Sequence, residues 1–86
     1  MYVDIYTKDD CQYCFQAKRL LAMSNIQYNE KKLDVDFTRE FLTEKFIGAK
    51  SYPVVVVDGM FVGGFSNLKA LLEERNKTTQ IFLTEG

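Results

Sequence analysis

The 86-residue chain contains no histidine and no tryptophan, and it has one proline and two cysteines. Without histidine it cannot form a Cys2His2 zinc site, a cysteine-histidine protease pair or an imidazole acid-base catalyst. Two cysteines are too few for the disulfide scaffold of a small secreted domain. We therefore expect a protein of a reducing compartment, where a purely structural disulfide would be unusual.

No charge of either sign dominates the chain, and no long apolar run interrupts it. Eleven basic and twelve acidic residues give a formal net charge of −1, which offers no electrostatic footprint for nucleic acid and no basic stretch for a membrane surface. No run approaches the roughly 20 apolar residues that span a bilayer, and the first residues lack a signal-peptide pattern. We expect a cytoplasmic monomer with no nucleic-acid or membrane partner.

Apolar and turn-forming residues follow one another in an order that predicts β-α-β-α-β-β-α. The four consecutive valines at 54–57 suit a strand that is buried on both faces, and Asp58-Gly59 predicts a tight hairpin to a strand at 60–62. Helices between the early strands imply a parallel crossover. The predicted fold class is α/β, with a mixed four-stranded sheet packed by three helices and with the first strand and the valine strand in its interior.

Short polar residues beside the predicted helices are candidate caps. We expect Asp10 to cap the first helix, either Asp36 or Thr38 to cap the second, and Ser66 to cap the third. Gly48 is placed to end the second helix.

The apolar residues of the first helix are expected to form its buried face. They are Phe15, Ala17, Leu20, Leu21 and Met23. The helical pattern fails after residue 75. We expect residues 76–86 to form a C-terminal extension, either as a frayed end or as a short extra strand at 81–83.

The two cysteines lie three positions apart in Cys11-Gln12-Tyr13-Cys14, where the first strand hands over to the first helix. A C-x-x-C pair at such a junction is typical of a thiol-disulfide redox site. Cys11 is placed to attack a disulfide, and Cys14, one helical turn further in, is placed to resolve the mixed disulfide. Two ordinary core residues, or half of a metal site, are the alternative interpretations.

The attacking species is the thiolate, which makes up only ~3% of an ordinary cysteine at pH 7. The backbone N–H groups at a helix start and the cation of Lys8 would lower the pKa of Cys11. Asp9 and Asp10, if they lie close, would raise it.

Three motifs together resemble those of the glutaredoxins, small proteins of the thioredoxin fold. Cys11-Gln12-Tyr13-Cys14 is similar to the family's C-P-Y-C motif, Ser51-Tyr52-Pro53 to its T-V-P segment, and Gly63-Gly64-Phe65-Ser66-Asn67 to its G-G-x-[ST]-D segment. The resemblance covers residues 1–75, and it implies a glutaredoxin domain there. It also implies a thioredoxin-like fold and a glutathione-dependent thiol-disulfide oxidoreductase.

The resemblance also implies a role for individual residues. Cys11 is the nucleophile, Cys14 is the resolving thiol, and the peptide bond before Pro53 is cis. Glutathione, the expected reducing co-substrate, is bound by residues that match the family's groove: Lys8, Tyr13, Tyr52, Pro53, Gly64, Phe65, Ser66 and Asn67. Arg39 or Lys45 is the candidate partner for its glycine carboxylate, and no metal is expected.

Three residues depart from the family pattern. Asn67 replaces an acid that would pair with the amino group of glutathione, so we expect weaker glutathione binding. Gln12 replaces a proline between the cysteines, where residues tune the reduction potential. Tyr52 replaces the usual valine, and its ring either stacks on a substrate or covers Cys14.

Three functions are compatible with this pattern. The leading hypothesis is a dithiol enzyme that reduces protein disulfides and glutathione mixed disulfides with glutathione. A second is an electron donor to ribonucleotide reductase that is recharged by thioredoxin reductase, whose features Gln12 and Gly64-Phe65 only half meet. The third is an iron-sulfur cluster carrier in which Cys11 of two chains and two glutathiones hold the cluster.

Overall fold

The computed structural model describes residues 1–49 and 51–85, the last ten of them by their backbone only. Seven elements follow one another in the order predicted from the sequence. They are β1 (Val3–Thr7), α1 (Gln12–Met23), β2 (Tyr28–Lys32), α2 (Arg39–Lys45), β3 (Val54–Val57), β4 (Met60–Gly63) and α3 (Phe65–Glu85). Within these ranges no helix is both long enough and apolar enough to cross a membrane.

The four strands form one mixed sheet in the order β2-β1-β3-β4. β1 runs parallel to β2 and antiparallel to β3, with Ile5 opposite Val55. The β3–β4 hairpin turns at Asp58 and Gly59, whose φ angles of 51° and 83° suit the tight two-residue turn. The mixed sheet, the hairpin and the interior positions of β1 and β3 are therefore confirmed.

Alternating side chains along β1 and β3 divide the core between the two faces of the sheet. The first face carries what we call the aliphatic layer, closed by α1 and α3: Val3, Ile5, Ala17, Leu21, Val55, Val57, Leu68 and Leu72. The second carries the aromatic layer, on the side of α2: Tyr6, Phe37, Leu42, Phe46, Val54 and Val56. The valine strand is buried on both faces because successive valines enter opposite layers.

The caps of α1 and α2 differ in how well they were predicted. The expectation for Asp10 is wrong, because its backbone adopts a φ of 54° and the next residue, Cys11, is the N-cap of α1. The Sγ atom of Cys11 accepts a hydrogen bond from the Cys14 N–H at 3.1 Å. Thr38 rather than Asp36 caps α2, and its Oγ1 accepts a hydrogen bond from the N–H of the third helical residue.

Helix α3 begins earlier and ends later than predicted. It starts at Phe65, so Ser66 lies in its first turn and is not its cap. The Asn67 side chain instead turns back, and its Oδ1 accepts a hydrogen bond from the Gly64 N–H at 3.3 Å. The helix continues to Glu85 because no glycine or proline interrupts it. The extra strand proposed at 81–83 is therefore wrong, and the domain boundary after residue 75 stays a prediction.

The buried face of α1 is narrower than the apolar pattern predicted. Ala17 and Leu21 are fully buried, but Phe15 and Met23 are 63% and 71% exposed. Phe15 lies next to the buried Cys14 in sequence, so it points about 100° away around the helix. The expectation that Phe15 and Met23 face the core is wrong.

Candidate redox site

Cys11 and Cys14 are joined by a disulfide bond across the first turn of α1, with their Cα atoms 5.2 Å apart. The two sulfurs differ in access, since Cys14 is only 2% exposed and Cys11 is partly exposed. An incoming thiol or disulfide therefore reaches Cys11 first. This difference matches the roles of nucleophile and resolving thiol that the sequence predicts.

The surroundings of the Cys11 sulfur favour negative charge. The Cys14 N–H points at it, and the first turn of α1 contains no acidic residue. Unpaired N–H groups at a helix start stabilise an anion there. Asp9, one of the two acids expected to oppose this effect, lies 3.7 Å from the Lys32 ammonium and is largely solvated. The geometry can therefore support a thiolate at Cys11.

A groove of about 500 Å³ opens beside Cys11. Lys8, Tyr13 and Tyr52, three of the predicted glutathione-binding residues, line it. Arg39 also lines it and supplies a second cation. Lys45, the other candidate on α2, is not among the lining residues, and its ammonium lies 5.3 Å from the ring centre of Phe41.

The loop before β3 contributes Ser51 and Tyr52 to the lining of the groove. The peptide bond between Tyr52 and Pro53 is cis, which confirms the expectation drawn from the resemblance. Pro53 is buried, and the ring of Tyr52 packs 6.4 Å from the ring of Phe37. The Lys8 ammonium lies 5.7 Å from the centre of the Tyr52 ring. Tyr52 thus connects the groove to the aromatic layer.

A smaller cavity of about 190 Å³ is lined by Gly63, Gly64 and Asn67. Ala49 and Ser51 line both this cavity and the groove, so the two spaces adjoin. Gly63 has a φ of 127°, and a Cβ atom there would lie 2.5 Å from Cγ of Asn67. Glycine at this position is therefore needed for the Asn67 side chain to fold back against the strand.

Three predicted site residues line neither space: Phe65, Ser66 and the buried Pro53. Ser66 is exposed in the first turn of α3 and lines neither of them. The ring of Phe65 packs against the ring of Tyr13, with centroids 5.7 Å apart. Phe65 lines instead a surface depression along α1, together with Gln12 and Phe15. Its position supports Tyr13 and leaves it out of the groove.

Sequence reasoning missed Thr43, which lines the groove. Thr43 lies four residues after Arg39 on α2, and its hydroxyl donates a hydrogen bond to the Arg39 carbonyl at 2.7 Å. Residues four apart share a helix face. The spacing from Arg39 is therefore the signal that would have identified it.

A charged cluster lies at the end of β1, immediately before Lys8. Glu30 Oε2 accepts hydrogen bonds from the buried Thr7 hydroxyl at 2.7 Å and from the Lys18 ammonium at 2.9 Å. Burial raises the pKa of Glu30, but the hydrogen bonds from Thr7 and Lys18 and the charges of Lys18 and Lys32 outweigh burial and hold it below its usual value. The cluster ties β1, β2 and α1 together next to the redox loop.

Acidic and cysteine side chains do not gather elsewhere in a form that suits a metal ion. Across residues 1–49 and 51–75, where side chains are described, no group of three or more such residues is placed to hold one.

A disulfide at the start of the first helix, a cis peptide bond after the groove-lining Tyr52 and a mixed four-stranded sheet define a thiol-disulfide oxidoreductase of the thioredoxin-like fold. The family model of glutaredoxin matches residues 3–62. The chain therefore belongs to the glutaredoxin family.

Individual relatives agree with this assignment. The chain is 39% identical to glutaredoxin 1 of Rickettsia conorii over 87% of this chain and 84% of that protein. It is 33% identical to glutaredoxin 3 of Escherichia coli K12 over 80% and 83% of the two chains. The crystal structure of glutaredoxin 1 from Francisella tularensis complexed with cacodylate superposes with a TM-score of 0.75 at 26% identity, covering 88% of this chain and 96% of that one.

Proposed function

We propose that the protein is a glutathione-dependent dithiol oxidoreductase that reduces protein disulfides and glutathione mixed disulfides, acting as a cytoplasmic monomer. The observation that carries this proposal is the partly exposed Cys11 of the disulfide, at the edge of a groove with two cations, Lys8 and Arg39. Membership of the glutaredoxin family supports it.

The chemistry of the groove suits glutathione. Glutathione carries two carboxylates, one ammonium group and a backbone that can pair with an extended chain. Lys8 and Arg39 provide cations for one carboxylate, and the backbone of Tyr52 provides the pairing edge. The adjoining cavity at Gly64 and Asn67 lies at the start of α3, where helix N–H groups can receive the second carboxylate.

The two cysteines can pass two electrons to a target in two exchange steps. The Cys11 thiolate attacks a target disulfide, forming a mixed disulfide and releasing one target thiolate. The Cys14 thiolate then attacks Cys11 Sγ, which releases the second target thiolate and closes the Cys11–Cys14 disulfide. One glutathione thiolate reopens that bond at Cys11, and a second removes the first as glutathione disulfide. Each step breaks one S–S bond and forms another, so electrons balance.

The first experiment measures reduction of the oxidised protein by glutathione with glutathione reductase and NADPH, beside a parallel reaction with thioredoxin reductase. Turnover with glutathione supports the proposal. Turnover with thioredoxin reductase alone contradicts it and favours the electron donor to ribonucleotide reductase. With glutathione, Cys11→Ser should abolish turnover, whereas Cys14→Ser should keep the one-thiol reaction with a glutathionylated peptide. Loss of that reaction in Cys14→Ser would count against the assigned roles.

A substitution of Asn67 tests whether the cavity beside it binds the end of glutathione that carries the second carboxylate and the ammonium group. In Asn67→Asp the carboxylate keeps an acceptor for the Gly64 N–H and adds a charge for the glutathione ammonium. A charged partner is worth about 1 kcal/mol more than a neutral one, so we expect the KM for a glutathionylated peptide to fall about fivefold. The control is Asn25→Asp, the same change at an exposed position after α1. An unchanged KM in Asn67→Asp would remove this residue from the binding site.

A further inference from the structure

Tyr52 holds its place by packing and without its hydroxyl group. Its ring packs against the aromatic layer beside Phe37. Its hydroxyl is buried, and no hydrogen-bond partner for it occurs among the residues whose side chains are described. A buried hydroxyl with no partner disfavours the folded state. The part of Tyr52 that serves the site is therefore the ring, since Tyr52 lines the groove and the Lys8 ammonium lies over its ring.

The Lys8 ammonium lies over the face of the Tyr52 ring, with its nitrogen 5.7 Å from the ring centre. Lys18 and Lys32 differ from it, since each lies within 4 Å of a carboxylate, Glu30 and Asp9 respectively. A carboxylate partner neutralises an ammonium group, whereas an aromatic face attracts it and leaves its charge in place. Lys8 is thus held at the groove in a form that can still bind an anion.

The second cation of the groove offers Lys8 no attractive partner. Arg39 lines the same groove and carries a charge of the same sign. The Lys8 side chain is long and exposed, so without an attractive contact it would spend more of its time in solvent. The valine that the glutaredoxin pattern usually has at position 52 offers no aromatic face.

We propose that Tyr52 is a positioning residue, whose ring holds the Lys8 ammonium over the groove so that it binds a carboxylate of the glutathionyl substrate. The inference rests on the proposed function of the groove and adds a side-chain role for Tyr52. The same ring cannot stack on a substrate with the face that Lys8 occupies.

The kinetic test is a double-mutant cycle of Tyr52→Leu and Lys8→Gln, with Tyr52→Phe as the conservative variant. Tyr52→Leu should raise the KM for a glutathionylated peptide about threefold, the value of one exposed cation–π contact, and leave kcat unchanged. Tyr52→Phe keeps the ring and should keep the wild-type KM. In the Lys8→Gln background, Tyr52→Leu should have no further effect. Additive effects, or a Tyr52→Phe variant as impaired as Tyr52→Leu, would overturn the proposal.

A measurement on the wild-type protein needs neither a variant nor turnover. The ε-methylene protons of a lysine over an aromatic ring resonate upfield in the NMR spectrum, so those of Lys8 should lie upfield of those of Lys32. Lys45, which lies 5.3 Å from the Phe41 ring centre, is the positive control. Equal shifts for Lys8 and Lys32 would refute the contact. If glutathione gives no turnover while Lys8 is shifted, the proposed function fails and the contact stands.

Discussion

The aliphatic layer and the aromatic layer share β1 and β3, but they differ in how completely they are covered. Two helices close the aliphatic layer, and Ile5, Leu21 and Leu68 are 0% exposed. The aromatic layer lies under α2, which has seven residues and is therefore about 10 Å long. Two rings on this side of the sheet, Phe41 on α2 and Phe61 on β4, remain 43% and 37% exposed.

This difference separates stability from binding. The covered face gains from the burial of apolar area, about 25 cal/mol per Å². The short helix on the other face leaves room for the groove. Two groove-lining residues also belong to the aromatic layer: Leu42 lies in its interior and Tyr52 packs against its margin. A substitution in the aliphatic layer should therefore change stability alone, and one in the aromatic layer should change stability and binding together.

The largest effect is expected for Leu68→Ala in the aliphatic layer. Leu68 is fully buried, so the change leaves a cavity and should lower the free energy of unfolding by about 3 kcal/mol. Activity per folded molecule should not change, because Leu68 does not line the groove. Urea unfolding and the KM for a glutathionylated peptide are the two measurements. A raised KM in the folded variant would contradict the separation.

Phe37→Leu probes the aromatic layer and should have an intermediate effect. Its ring meets Tyr6 edge-on at 5.1 Å and lies beside Tyr52. We expect a loss of about 1.5 kcal/mol in the free energy of unfolding. The KM should rise about twofold, because Tyr52 loses support for its contact with Lys8. Ile5→Val, expected to cost about 1 kcal/mol in the aliphatic layer, is the control and should keep the wild-type KM.

Glu30→Gln should have the smallest effect, and one that depends on pH. The pKa of Glu30 is lower in the folded protein than in the unfolded chain, so its stabilising contribution is complete above the unfolded pKa and is lost as the pH falls through the folded pKa. At pH 7 the variant should be about 1 kcal/mol less stable than wild type. Urea unfolding in acid should show a smaller difference than at pH 7, and the difference should shrink as the pH falls.

The control for this pH dependence is Glu44→Gln, an exposed carboxyl on α2. Its stability difference from wild type should be close to zero at pH 7 and in acid. A Glu30→Gln difference that persists unchanged in acid would show that the Thr7 and Lys18 contacts stabilise by packing rather than by charge.

Much of the fold could be predicted because it follows from alternation along the chain. Val54 to Val57 enter opposite layers in turn, and the Asp58-Gly59 turn requires the hairpin. The caps could not all be predicted, since several short polar residues precede α1 and only the backbone angle at Asp10 decides which of them begins it. The sequence prediction ended α3 ten residues too early. Polar residues such as those after 75 are only weakly unfavourable in a helix, so they do not mark its end.

The residues of the candidate site could be predicted where a single sequence motif contains them. They could not where only tertiary packing determines which of several similar residues lines the groove. Cys11 and Cys14 are recognised by spacing and position. Arg39 and Lys45 lie on the same short helix, and only the packing of Lys45 over Phe41 shows which of them lines the groove. The contact between Lys8 and Tyr52 joins residues that lie far apart in the chain, so no sequence pattern contains it.

The hydrogen bond from the Cys14 amide to the Cys11 sulfur makes the attacking atom the cap of its own helix. A change in the charge of that sulfur therefore changes the strength of the hydrogen bond that the Cys14 amide donates to it. Protection of the Cys14 amide against hydrogen exchange should rise when the sulfur becomes a thiolate, because a charged acceptor holds the proton more tightly. The protein thus contains its own reporter of oxidation state, a single backbone proton whose exchange rate should distinguish the Cys11 thiolate from the disulfide-bonded forms.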